Sequence, residues 1–133
     1  MNTMNLLLTF CALIETATGL ALIAMPAVVV RLLLAADISG PSIALGHVAG
    51  FGLLSLGLAC SPGRDATANT PPARAMLTYN VLATLYFVYV GIGGEWVGPL
   101  LWPAAALHAG LSLLLVRQWR LAGTRHQGRL VRL

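Results

Sequence analysis

The chain has 133 residues, 58% hydrophobic and only 9% charged, whereas charged residues make up about a quarter of an average soluble domain. That composition excludes a soluble globular protein, and the length leads us to expect about four membrane spans of about 20 residues each, with no soluble domain beside them. All eight basic residues are arginine, and five of them follow the last apolar run in RQWRLAGTRHQGRLVRL, so the expected partner of the net +4 charge is anionic lipid headgroups and not nucleic acid.

The opening MNTMNLLLTF has no positively charged region, and its apolar stretch is interrupted by Glu15. It reads as a retained first helix and not as a secretory signal. This first span, about residues 5–25, stops at Pro26. AVVVRLLLAADI, residues 27–38, is too apolar for an ordinary loop and too short to cross a bilayer. A short interfacial helix fits it, with Arg31 and Asp37 reaching the headgroups; the alternative is a first helix that continues past Pro26 with a kink.

The second span, about 41–60, begins after SGP and ends in SPGR. Within it Gly46, Gly50 and Gly57 form a smooth strip that includes a G-x-x-x-G, the pattern through which membrane helices pack closely. Whether that contact lies within the bundle or with a second copy is open at this stage. The third span, about 75–93, follows NTPPAR, where Thr70 is placed to cap and Pro71 to occupy the first turn. The GIGG at Gly91–Gly94 reads as a C-terminal break.

Only GGEWVG separates the third span from the fourth, about 99–116, so these two are antiparallel neighbours. The predicted fold is therefore all-α: an integral membrane four-helix up-down-up-down bundle with a short interfacial helix between helices 1 and 2, followed by an arginine-rich tail over 117–133. Seven arginines fall on the side of the termini (Arg64, Arg74, Arg117, Arg120, Arg125, Arg129 and Arg132) and one, Arg31, on the other. The positive-inside rule then places both termini in the cytoplasm. Trp96, Trp102 and Trp119 fall at the two interfaces as aromatic anchors.

Two cysteines, Cys11 and Cys60, are too few for a disulfide framework and lack C-x-x-C spacing. No nucleophile elbow, phosphate-binding loop or dinucleotide loop occurs, which argues against a soluble-type enzyme.

The candidate site comes from polar residues inside the spans, because a charged side chain at the bilayer centre costs about 2.5–3.5 kcal/mol on insertion scales. At 1.5 Å per residue, Glu15 and His108 fall near the midplane and His47 within side-chain reach of it. These three form the predicted intramembrane cluster, with Asn80, Tyr79 and Tyr86 as secondary polar residues. By the same count Asn80 lies a turn or more below. Tyr79 and Tyr86 share one helix face, and Asn80, Thr84 and Phe87 another. The cluster has three readings: hydrogen bonds that fix helix packing, a proton relay or small-substrate site, and ligation of iron, copper, zinc or haem. No H-x-x-x-H or E-x-x-H spacing supports the third, and the residues name no cofactor.

The stretches TGLALIAMP and HVAGFGLLSLGLACSP resemble the DoxX-like superfamily of small four-helix bacterial membrane proteins. Relatives usually carry an arginine where this chain has His47. The resemblance implies a protein of the bacterial inner membrane that serves as an accessory or small subunit of a larger, redox-linked membrane assembly, with a protein partner or a second copy. The contrasting expectations are an autonomous proton-coupled transporter or channel built on Glu15, His47 and His108, and a haem- or metal-binding redox subunit.

Overall fold

The computed structural model describes residues 2–61, 67 and 70–130, with side chains as far as Leu121. Arg64 and the side chains of Arg125, Arg129 and Arg132 lie outside the described set. Five helices follow one another: α1 (Thr3–Ala24), α2 (Pro26–Leu34), α3 (Pro41–Ala59), α4 (Pro71–Gly93) and α5 (Leu101–Leu130). No strand occurs among the described residues. Three of the helices, α1, α3 and α4, are long and apolar enough to cross a membrane. Their outer faces carry exposed Leu13, Leu45, Tyr89 and Ile92, and α5 adds Leu113; an apolar surface this extensive is suited to lipid. The chain is a helical membrane protein.

Local sequence explains where the helices begin and end. Asn2 caps α1, its Oδ1 accepting the Asn5 amide at 2.8 Å. Met25, non-helical at φ −145° and ψ 63°, ends α1, and Pro26 opens α2 at its first position. The short helix is thus separate from α1 and not a kinked continuation of it. At α4 the expected cap is absent: the Thr70 hydroxyl donates to the Thr67 carbonyl at 2.8 Å. Pro71 and Pro72 occupy the first turn and have no N–H to cap. Gly94 closes α4 in the left-handed conformation at φ 75°, which a residue without Cβ adopts at no steric cost.

Two elements are longer than expected. α4 starts at Pro71, four residues before the anticipated 75, because prolines in a first turn extend a helix backwards. α5 runs on to Leu130, through most of the stretch read as a tail. No proline follows Pro103 to stop it, and arginine, leucine and glutamine are good helix formers.

Packing divides the helices into two pairs. α1 lies along α3, and α4 along α5. The first pair is built on absent side chains: a Cβ at Gly50 would stand 2.8 Å from the Gly19 carbonyl oxygen, and one at Gly57 would stand 2.8 Å from that of Ala12. Gly46 lies against Pro26, where a Cβ would meet the proline Cβ at 2.7 Å. The glycine strip of α3 is therefore occupied within the chain by α1 and α2. Gly19, inside TGLALIAMP, is its counterpart on α1.

The pairs are joined at one end by a closed core of Met4, Leu8, Cys11, Cys60, Ala73, Met76, Leu111 and Leu115. At the other end α2 and the segment after α4 tie them together. The amides of Gly98 and Leu100 donate to the carbonyls of Leu33 and Leu32 at 3.1 and 2.9 Å, satisfying acceptors that the end of α2 would otherwise leave open.

Candidate intramembrane site

Between the two helix pairs, above the closed core, the helices line a partly open cavity of about 680 Å³. Its walls are mostly apolar and come from all five helices: Ala21 and Leu22 of α1, Val29 and Leu33 of α2, Leu53 of α3, Phe87 of α4 and Leu107 of α5 among them. Glu15, Tyr79 and His108 also line it. Along each helix these polar residues come just where core residues give way to cavity residues, after Cys11 on α1, after Met76 on α4 and before Leu111 on α5. They form a polar layer that floors the cavity and caps the dry core.

The imidazole of His108 is held from three sides. Its Nδ1 lies 2.8 Å from Oδ1 of Asn80, while the Asn80 Nδ2 donates to the Met76 carbonyl at 2.8 Å. With the amide nitrogen committed to that carbonyl, Oδ1 is the acceptor, so Nδ1 of His108 carries the proton. In a neutral imidazole this leaves a lone pair on Nε2. Tyr79 meets the ring edge-on with centroids 5.7 Å apart, and Phe87 lies tilted against it at 5.6 Å. Asn80 is fully buried and His108 is 7% exposed.

Glu15 is 1% exposed. The Tyr79 hydroxyl approaches its carboxyl group from α4, yet Oε1 is buried without a hydrogen-bond partner among the described residues. A buried polar atom left unpaired costs about 1–3 kcal/mol, and more when charged, so its survival in the wall of a cavity is a feature that needs an explanation.

The six polar residues singled out from sequence are placed unequally. Glu15, Tyr79 and His108 share the cavity, and Asn80 supports His108 from behind. His47 is half-buried on α3, outside the residues that line the cavity, beside Gly46 where α3 meets Pro26. Tyr86 is 60% exposed and points away from the bundle. The Asn80 depth is corrected: the four residues added at the start of α4 carry it about 6 Å further into the span at 1.5 Å per residue, level with His108. Phe87, read only as a packing residue, proves to be a wall of the site. Its spacing from Asn80 and Thr84 was the available signal, since the Thr84 hydroxyl donates to the Asn80 carbonyl at 2.8 Å on the same face.

Among the described residues no three His, Cys, Asp or Glu side chains converge as a metal-binding group. Chemically, the arrangement sets a carboxyl group and an imidazole among the apolar side chains that line the cavity, which suits a ligand with an apolar body and one polar group. No family model, no curated protein and no solved structure matches the chain, so the site itself carries the functional reading.

Proposed function

We propose that the protein is a four-span carrier of a bacterial inner membrane, with both termini cytoplasmic, that takes a small, mostly apolar molecule into the cavity between its helix pairs and holds the molecule's polar group on Glu15 and His108. α5 supplies the fourth span: LWPAAALHAGLSLLLV, at its start, is uninterrupted by charge, and the short connection from α4 makes the two antiparallel. The observation that carries this reading is Glu15, a residue with its Oε1 unpartnered, in the lining of a cavity of about 680 Å³, a volume within the roughly 300–1,000 Å³ range of small-molecule sites. A carboxyl group kept only to hold helices together would have its oxygens satisfied by them. Carboxylate and imidazole groups at this depth are also the groups through which carriers exchange protons.

Thermal unfolding of the purified protein against a panel of drug-sized apolar amines, alcohols and acids tests this. At least one chemical class is expected to raise the Tm of the wild type, and Ala104→Phe, which fills the cavity from α5, should abolish the rise. A panel with no stabilising member would sink the proposal.

The DoxX-like resemblance supports a second reading, an accessory or small subunit of a larger redox-linked assembly. It rests on TGLALIAMP and HVAGFGLLSLGLACSP, whose glycines Gly19 and Gly50 face each other across the α1/α3 contact. Purification from native membranes decides for this reading if a partner protein accompanies the chain in fixed ratio.

A further inference from the structure

We infer that the cavity selects a cationic occupant: a protonated amine or amidinium carried on an apolar body. The inference rests on the carrier reading above and adds the chemical class of its substrate. It follows from the kinds of polar atoms the cavity presents. Glu15 presents an unpaired oxygen, and His108, with Nδ1 committed to Asn80 at 2.8 Å, has only the lone pair of Nε2 to offer. Both are acceptors. Neither arginine nor lysine lines the cavity among the described residues: Arg31 pairs with Asp37 at the surface, 3.7 Å apart, and Arg74 is exposed near the start of α4.

The hydroxyls of Tyr79 and Thr18 also line the cavity and can turn either way, so a site with one acid, an imidazole acceptor, two hydroxyls and no fixed cation in its described lining is complementary to a ligand that brings N–H donors and a positive charge. Such a ligand supplies the positive charge that no arginine or lysine in the described lining gives Glu15, and it brings donors for the unpartnered Oε1 and for Nε2 of His108. A carboxylate ligand would meet Glu15 with like charge in a medium of low dielectric, where repulsion is strong. A neutral alcohol could donate one hydrogen bond and would leave the charge of Glu15 as it is.

One apolar body with three head groups separates these cases. Binding of 1-adamantanamine, 1-adamantanol and 1-adamantanecarboxylate to the full chain in phosphatidylcholine nanodiscs is measured at neutral pH, with empty nanodiscs and Ala104→Phe as references for partition into lipid. The amine is expected to bind at least about tenfold more tightly than the alcohol, the value of one charge-assisted hydrogen bond of about 1.5 kcal/mol, and the carboxylate not to bind. Glu15→Gln should lower the affinity of the amine at least about tenfold more than that of the alcohol and so remove the amine's advantage; should that variant fail to fold, the amine-to-alcohol ratio on the wild type decides alone. Equal binding of amine and alcohol, or preference for the carboxylate, overturns the cationic class and leaves the cavity reading standing. No binding by any of the three overturns both.

Discussion

Asn80 divides its carboxamide between two helices, donating to Met76 on its own helix and accepting from His108 on α5. Both bonds are buried, so Asn80→Ala leaves the Nδ1 proton of His108 without an acceptor in a place water does not reach. The expected loss is about 1–3 kcal/mol of unfolding free energy, read in a denaturant titration in detergent. The ring of His108 should also lose its fixed tautomer, visible as a change in its imidazole nitrogen shifts. The sequence shows that Asn80 and His108 are polar and intramembrane. It does not show that they meet, since a depth counted from the first apolar residue misplaces a helix whose first turn is made of proline. Glu15 was legible for the opposite reason: one acid in a long apolar run stands out in any count.

Among the helices, contact is decided by what glycine leaves out. At Gly19 a Cβ would stand 2.6 Å from the Leu54 amide nitrogen and at Gly50 3.0 Å from that of Ile23. These neighbours are backbone atoms and cannot swing aside. Gly19→Ala and Gly50→Ala are each expected to cost about 1–3 kcal/mol by forcing α1 and α3 apart. Gly52→Ala, in the same helix but with open space around it, should cost nothing and gain from alanine's higher helix propensity. Parallel unfolding curves of the three variants check the contrast, and an equal response at Gly50 and Gly52 would contradict the close α1/α3 contact. The strip on α3 was readable from its spacing. Its partner was not, because spacing on one helix gives a surface and says nothing of what covers it.

The segment between α4 and α5 makes a similar case. Buried Gly98 lies against the backbone at the end of α2, where a Cβ would come within 2.6 Å of the Leu33 carbonyl carbon. Gly98→Val should therefore detach this connection from α2 and raise the rate of proteolytic cleavage between residues 94 and 100, with cleavage of the wild type as the reference.

At the scale of the whole molecule, the proposed orientation puts residues 35–40 outside the cell and residues 60–70 inside it. Ser39→Cys is expected to react with a membrane-impermeant maleimide on intact spheroplasts, and Thr67→Cys only after permeabilisation. The native thiols give little background, since Cys11 is fully buried and Cys60 1% exposed. The reverse labelling pattern would invert the topology. The same view of the molecule shows why the closed core and the cavity occupy opposite ends. Met4, Leu8, Met76 and Leu115 fill one end with side chains, whereas at the other the two helix pairs are held by α2 and the segment after α4 more than by each other.

Composition, run length and turn residues by themselves determined that this is a helical membrane protein, roughly where its apolar helices lie, and which polar residues sit inside the spans; the backbone at Met25 decided that the short helix is separate from the first. The first three follow from local chemistry, since each depends on residues close together in the chain. Only the tertiary structure decided that the glycine strip is covered by α1, that Asn80 fixes the tautomer of His108, and that Glu15 faces a cavity with an oxygen to spare while His47 lies outside it. Those facts depend on rotation and depth of one helix against another, and packing between surfaces far apart in sequence sets both.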